Sequence, residues 1–266
     1  MMNIIRADIY RLLRGKAIYI TFTVLLLMNI LAVATSAQAG LIVDISEQEE
    51  IANFEKVDVI YNGMNIAEVL YNSTPNLIYL LLPLIIAVAS PMFSHGTVKN
   101  SLSYGMPRTK LYFSKLIFSS VLALILMLFY MLSGILLATI FRGFGGTPPD
   151  GYWLNILKIC CAQSFFLLAM NSVGIFLAFA TKRTAIVNGA YIALCLIPTS
   201  VVMLLMQIEP DFVKFFDYEI HQIILKFGSI AAMETADFVK SFVTGAIYII
   251  APTIAGTLLF KRAEIK

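Results

Sequence analysis

Six long apolar stretches dominate the pattern of hydrophobic and polar positions along the chain. Each is long enough for a helix to cross the apolar core of a bilayer, which takes about 17–25 residues. The pattern therefore predicts an all-α, polytopic fold, with one transmembrane domain over residues 1–266. The predicted spans are residues 17–39, 77–93, 116–141, 156–180, 185–206 and 241–260.

The first 16 residues predict a helix that lies along the membrane surface. Its apolar residues fall on one face at helical spacing, and its arginines fall on the other face or near its edge. The apolar set is Ile5, Ile9, Leu12 and Leu13, and the basic set is Arg6, Arg11 and Arg14. Basic amphipathic helices bind in the interface rather than span it. A simple cytoplasmic anchor explains this pattern equally well.

Composition supports an integral membrane protein. Hydrophobic residues make up 59% of the chain and charged residues 13%. Soluble domains have about 45–50% apolar and about 25% charged residues. The net charge of +3 is small, so the positions of the charges are more informative than their sum.

The charges predict which ends of the spans face the cytoplasm. Most of the 19 Lys and Arg residues lie in segments 1–16, 94–115, 181–184 and 261–266, whereas Asp8 and Glu264 are the only acids there. Because Lys and Arg near span ends resist translocation, we expect these segments, and both termini, in the cytoplasm. Residues 40–76 and 207–240 are then the outer loops.

Both predicted outer loops carry more acidic than basic residues. The acids of residues 40–76 can attract a cationic peptide, although a solvated acidic face explains them too. Residues 207–240 also contain many large apolar side chains, which predicts short helices that dip into the outer leaflet.

A short polar segment at residues 96–115, G-T-V-K-N-S-L-S-Y-G-M-P-R-T-K-L-Y-F-S-K, separates the second and third spans. It carries four cations and no acid. Thr97 can cap a short helix in which Val98 and Leu102 share a face. Gly105 suits the left-handed position after that helix, and the following proline prevents its continuation.

Residue Thr109 can then cap a second helix that runs into the third span. The short helix before it would present Leu102, Ser103 and Tyr104 to a soluble partner. A plain solvated connector is the second interpretation. Paired helix stops, an apolar pair and a tyrosine argue against that interpretation, since Tyr and Arg are enriched where partners dock.

This segment resembles the cytoplasmic loop between the second and third spans of bacterial type-two ABC exporter permeases, and most closely the lantibiotic-immunity and bacitracin-resistance class. In that family the segment is a coupling helix, which sits in a groove of a separate ATPase subunit. An acidic residue commonly stands shortly before the Gly-Thr pair. This sequence has Met92, Phe93, Ser94 and His95 there, so any role of that acid is not carried over.

The resemblance implies a set of contacts with the ATPase. The implied docking residues are Thr97, Val98, Lys99, Leu102, Ser103, Tyr104 and Arg108. It also implies that the N-terminal helix is an elbow helix whose contacts involve Arg6, Ile9, Arg11, Leu12 and Arg14. ATP and Mg²⁺ would be bound by the partner ATPase, and a second permease copy or a sibling permease would complete the transporter.

The sequence shows no candidate catalytic, cofactor-binding or metal site of its own. It lacks the phosphate-binding G-x-x-x-x-G-K-[ST] loop and the H-E-x-x-H zinc motif. No predicted span carries a charged residue near its centre, which disfavours an ion-coupled transporter. Nothing indicates a nucleic-acid partner. A pathway of apolar and neutral polar side chains suits a lipid-like or amphipathic cargo.

We therefore expect the membrane subunit of an ABC exporter in the bacterial plasma membrane, which is not itself an enzyme. By resemblance, its cargo is an antimicrobial peptide removed from the membrane for immunity or resistance. The alternative is a non-transporting immunity or signalling protein that binds a peptide through its outer loops.

Overall fold

The computed structural model describes residues 2–34, 61–94 and 105–262, together with Val98 and Ser103. These residues are helical or lie in turns between helices, and no strand occurs among them. Nine α-helices are described in this part of the chain: α1 (Met2–Arg14), α2 (Lys16–Ala34), α3 (Ile66–Ser73), α4 (Leu77–Ser94), α5 (Arg108–Arg142), α6 (Tyr152–Thr181), α7 (Thr184–Met206), α8 (Ile220–Lys226) and α9 (Thr235–Arg262).

Six helical segments of the described residues are long and apolar enough to cross a membrane. They are α2, α5, α6, α7, α9 and the segment 66–93, in which α3 and α4 follow each other through the 3-10 turn Thr74–Asn76. The predicted all-α polytopic fold with six spans is therefore confirmed. Helix α6 is the most buried span, and α2, α7 and α9 keep most of their side chains at the surface.

The structure moves several predicted boundaries. The second span begins at Ile66 and the third at Arg108, so the expected outer loop 40–76 and inner loop 94–115 are both too long. The fourth and sixth spans begin at Tyr152 and Thr235, earlier than predicted. The fifth span, α7, nearly matches its prediction. The last predicted residues of the first span, 35–39, lie outside the described residues.

The segment of α3 is part of the hydrophobic core rather than a loop. Ile66 and Leu70 are each 1% exposed, whereas the acidic Glu68 between them is exposed. One acid on the outer side of a helix does not prevent the opposite side from packing.

The segment between α7 and α9 packs against the protein as well. It forms a 3-10 helix over Pro210–Tyr218, then α8, then a second 3-10 helix over Phe227–Ala232. Ile223, Ile224 and Phe227 are fully buried. Burial inside the bundle thus accounts for many of the apolar residues from which helices dipping into the leaflet were predicted.

Two neutral polar residues of α6, Gln163 and Asn171, hold helices of the bundle together. The Gln163 amide donates to the carbonyls of Tyr71 in α3 and Ile224 in α8, both at 3.0 Å. The Asn171 amide donates to two serine hydroxyls of α5, at 2.9 and 3.1 Å. These bonds fix α3 and α8 onto the central helix.

An ion-pair cluster closes the end of the bundle where α8 lies. Asp217 accepts hydrogen bonds from the ammonium groups of Lys226 and Lys240, the latter at 2.7 Å. These two partners lower the pKa of Asp217 below its usual value. The cluster ties the 3-10 helix to α8 and α9.

Candidate functional site

The opposite end of the bundle, which we call the base, contains the N-terminal helix α1. It also contains both ends of residues 96–115, which we call the coupling segment. We define the base by Asp8, Val98, Arg108, Lys115 and Phe260. By the charge pattern of the sequence it is the end expected in the cytoplasm.

Two of the seven predicted docking residues are described between α4 and α5. Val98 is helical and 3% exposed, so its side chain belongs to the core of the base. Ser103 is helical and exposed. Thr97, Lys99, Leu102 and Tyr104 also belong to the predicted docking set, and they lie outside the described residues.

The stop signals inside the coupling segment act largely as predicted. Gly105 has a φ of +76°, in the left-handed region that favours glycine. Pro107 is extended and stands immediately before α5, which begins at Arg108. The prediction that Thr109 caps this helix is wrong, because Thr109 already lies in the first turn.

The remaining docking candidate, Arg108, binds within the chain. Its Nη1 donates to the carbonyl oxygens of Phe260 at 3.2 Å and Lys261 at 2.7 Å. These carbonyls lie in the last turn of α9, where helix carbonyls lack intrahelical partners and favour a cation. Arg108 therefore joins the end of the coupling segment to the end of the last span.

A second link connects α5 to the N-terminal helix. The ammonium of Lys115 donates to both carboxylate oxygens of Asp8 at 2.6 Å. Both side chains are only 3% exposed. Arg11, whose side chain is 37% exposed, also forms an ion pair with Asp8. The pair of Asp8 and Lys115 thus attaches α1 to the first part of α5, at a site almost free of solvent.

This pairing changes the expected orientation of α1. Asp8 and Leu12 face the protein, at 3% and 6% exposure, whereas Ile9 and Leu13 are 42% and 52% exposed. Of the predicted apolar face, Leu12 therefore packs against the protein, whereas Ile9 and Leu13 remain exposed. Of the predicted elbow arginines, Arg6 and Arg14 are exposed and Arg11 is half-buried. Placement of α1 along the membrane surface stays a prediction.

An aromatic cluster fills the space above these links. Tyr112 of α5 is fully buried, and its ring centroid lies 4.8 Å from that of Phe179. Phe179 also contacts Phe93 and Phe260, with centroids at 5.3 and 4.9 Å. Four spans, α4, α5, α6 and α9, meet in this cluster.

A close helix contact tightens the same region. A Cβ added to Gly256 of α9 would lie 2.5 Å from the Tyr112 hydroxyl oxygen, so only glycine fits there without movement. The Tyr112 hydroxyl donates to the carbonyl of Pro252 at 3.4 Å. The base is consequently a packed unit in which the start of α5 contacts α1, α6 and α9.

Sequence reasoning missed the buried pair of Asp8 and Lys115. Lys115 was one of four cations in a segment without acids, which is typical of a solvated loop. The available signal was Asp8, which is one of only two acids in the segments predicted to be inside. Among the residues that the structure describes, no group of three or more His, Cys, Asp or Glu side chains is placed to hold a metal ion.

Comparison with known proteins adds one finding. A family model described as ABC-2 family transporter protein matches residues 2–265. No curated protein matches the chain. The family match covers all of the described helices.

Proposed function

Because the chain belongs to the ABC-2 family of transporter proteins, we propose that it is the membrane-spanning subunit of an ATP-driven exporter. Members of this family are membrane components of transporters, and this chain is a multi-pass membrane protein, in bacteria of the plasma membrane. In our proposal ATP and Mg²⁺ are bound and hydrolysis occurs on a separate soluble ATPase chain, so this chain is not itself an enzyme.

The observation that carries the proposal is how the coupling segment is anchored at both ends. At its start, Val98 is buried in the base. At its end, Arg108 bonds to the last turn of α9 and, two turns later, Lys115 bonds to Asp8 of α1. A force applied to the segment between these anchors reaches α1, α5 and α9 together, because packed interiors move as units.

We assign different roles within the predicted docking set. The ATPase would contact the segment through Thr97, Lys99, Leu102, Ser103 and Tyr104. Val98 and Arg108 would instead hold the segment to the bundle, as their contacts favour.

The elbow arginines Arg6 and Arg14 are exposed on α1. They would lie against lipid phosphates or the ATPase. Apolar Ile9 would then lie in the interface, because the lipid bilayer covers the exposed apolar side of α1.

A second permease copy, or a sibling permease, would complete the pathway. Large apolar side chains are exposed along α2, α7 and α9. Lipid can cover these faces, and a second membrane subunit can cover part of them. We further propose, from the resemblance, that the cargo is an amphipathic antimicrobial peptide moved out of the membrane for immunity or resistance.

A pull-down with the soluble ABC ATPase chains of the host cell tests the proposal. The test variant is Leu102→Asp with Tyr104→Ala in the coupling segment. The matched control is Leu225→Asp with Tyr218→Ala at the other end of the bundle, where both side chains are exposed. We expect wild type and control to retain the ATPase and the test variant to lose it.

If the wild-type chain retains no ATPase, the exporter proposal is wrong. The non-transporting peptide-binding protein then becomes the leading interpretation. If the test and control variants retain the ATPase equally, docking occurs elsewhere on the chain.

A further inference from the structure

The second span differs from the other spans in the residues that its surface exposes. Only four side chains of residues 66–93 are exposed, and no large apolar residue is among them. The four are Glu68, Asn72, Asn76 and Pro83. On α5, in contrast, every exposed residue between Ile117 and Ile140 is isoleucine, leucine or valine. The exposed side of the second span is therefore poorly suited to lipid tails, because unpaired polar groups are costly in an apolar medium.

Three of the four exposed residues form a polar stripe along one side of this span. Glu68, Asn72 and Asn76 follow each other at intervals of four residues, and residues four apart share a helix face. The structure records no hydrogen bond from the side chain of either asparagine to another described residue. Both amides are therefore available to a partner outside the chain.

The polar stripe runs from the middle of the membrane towards its outer surface. Asn76 lines a cavity together with Leu25 and Met28 of α2. These two residues lie about 14–18 Å from the start of α2 at a helical rise of about 1.5 Å per residue. The apolar core of a bilayer is about 30 Å thick, so Asn76 lies near its middle. Glu68 lies about 12 Å further along the span, towards the end expected outside. Polar side chains at such depth are expensive and mark functional sites.

The cavity beside the polar stripe offers an apolar surface. It has a volume of about 110 Å³ and lies between α2, α3, α4 and α5. Met28 lines it and is 47% exposed, and Asn76 is exposed too, so the cavity opens at the side of the bundle. Most of its other lining residues are apolar: Leu25, Ala32, Val69, Leu70, Leu77 and Leu80. An apolar cavity of about 150 Å³ holds benzene, so this one can take a slightly smaller alkyl group.

We propose that the polar stripe and the cavity form one binding site for an amphipathic molecule with a cationic group. An alkyl group of the ligand fills the cavity, and the amides of Asn72 and Asn76 bond to its polar groups. Its cationic group lies beside the carboxylate of Glu68, near the outer surface of the membrane. The role of this ligand as the cargo rests on the proposed exporter function.

A second copy of the chain is the other candidate to cover this side of the span. A twofold contact centred on the polar stripe places the same surface patch of each copy against the other. The Glu68 carboxylates of the two copies would then approach each other, and like charges repel. A cationic ligand instead compensates the charge of Glu68, so charge complementarity favours the ligand.

Photolabelling of the purified full chain in phosphatidylcholine nanodiscs tests this site. The probe is a straight-chain alkylammonium that carries a diazirine on its alkyl chain. The matched neutral probe has a hydroxyl group in place of the ammonium. Mass spectrometry of the labelled peptides locates the label. We expect the cationic probe to label residues 25–32 and 69–80 saturably, whereas labelling of the lipid-exposed side of α5 should rise with probe concentration without saturation.

Three variants and two matched controls locate the site. Asn76→Leu should raise the half-saturating concentration of the cationic probe about fivefold, because it removes a hydrogen bond to the ligand. Glu68→Gln should raise it about two- to fivefold for the cationic probe only, whereas the exposed Glu209→Gln should change it for neither probe. Ala32→Leu fills the cavity and should weaken binding of both probes. Its control is Ala251→Leu, at an exposed position of α9.

The proposal is overturned if labelling of the cavity segments does not saturate, or if any of the three site variants folds and binds the cationic probe as wild type does. If Ala32→Leu does not fold, the two variants at exposed positions decide. An intermolecular disulfide of Asn76→Cys in a Cys161→Ser background, in place of saturable labelling, would overturn the proposal in favour of a second copy.

The labelling uses this chain without the ATPase, so it is independent of the pull-down. A chain that retains the ATPase but shows no saturable labelling refutes the binding site and leaves the exporter proposal standing. A chain that is labelled saturably but retains no ATPase has the site and is not an exporter subunit.

Discussion

Replacing Lys115 by methionine removes one partner of the buried ion pair that joins α5 to α1. The Lys115 ammonium lies 2.6 Å from both oxygens of Asp8, and each side chain is 3% exposed. Removing one member of such a pair costs about 3–5 kcal/mol, because the other charge stays buried. Arg11 remains beside Asp8 but its side chain is 37% exposed, so we expect the lower end, about 3 kcal/mol.

The double variant gives the sharper result. Asp8→Leu with Lys115→Met removes both charges, and replacing a buried pair by apolar residues is often neutral or stabilising by about 1–4 kcal/mol. The double variant should therefore be more stable than Lys115→Met alone. For Arg11→Met we expect a loss of only about 0–1 kcal/mol, because the half-buried Arg11 side chain is partly screened by solvent and Asp8 keeps Lys115 as its partner.

The assay measures the apparent thermal unfolding midpoint of the purified chain. The midpoint is the temperature at which half of the monodisperse peak in size-exclusion chromatography is lost after heating. A loss of about 3 kcal/mol corresponds to a decrease of roughly 6–12 °C for a chain of this size. The matched control is Lys110→Met, on the same helix but exposed, which should change the midpoint by no more than about 2 °C.

Two results would refute this reasoning. A midpoint for Lys115→Met that equals the Lys110→Met control would mean that the pair contributes no net stability. A double variant as unstable as the single variant would mean that the lost stability comes from packing around Lys115 and not from the charge left on Asp8.

The remaining predictions concern three other contacts. Gly256→Ala should destabilise the protein by about 1–3 kcal/mol, because the added Cβ meets the ring of the buried tyrosine of α5. Gly189→Ala, with no atom within 4 Å of its added Cβ, should be neutral or stabilising by up to about 1 kcal/mol in the same melting assay. Arg108→Ala should lower the local stability of the last turn of α9 by about 1 kcal/mol, because it removes the side chain that bonds to the carbonyls there. Backbone hydrogen exchange in that turn should become about fivefold faster, whereas Lys110→Ala should leave it unchanged. The two lysine partners of Asp217 lower its pKa, so they stabilise the folded protein above pH about 4. This stabilisation is lost as the pH falls through the pKa of Asp217 in the folded protein. An Asp217→Asn variant should therefore lose less stability than wild type between about pH 5 and pH 3.

The spans were predictable because their signal is local and strong. A run of about 20 apolar residues identifies a membrane helix without knowledge of its neighbours. The turn at Gly105 was predictable for a similar reason, since a glycine and a proline two residues later each carry their own backbone preferences. The boundaries were less accurate because α5 and α9 continue as helix into polar sequence beyond their apolar windows.

The contacts at the base were not predictable in the same way. Lys115 and Asp8 are 107 positions apart, and nothing near Lys115 in the sequence indicates that it is buried. Glu219 lies outside the apolar stretches, in a predicted outer loop. It is nevertheless buried, because it caps α8 where that helix packs into the bundle. Four of the predicted docking residues lie outside the described part, so their role stays a prediction.

The long separation between Asp8 and Lys115 has a consequence for how the protein is made. At about 5–20 residues per second, the ribosome adds the lysine roughly 5–20 s after the aspartate. During that interval α2 has left the ribosome, yet the N-terminal helix has no buried lysine to bind. Helix α1 can therefore form this contact only after the first two turns of α5 have been synthesised.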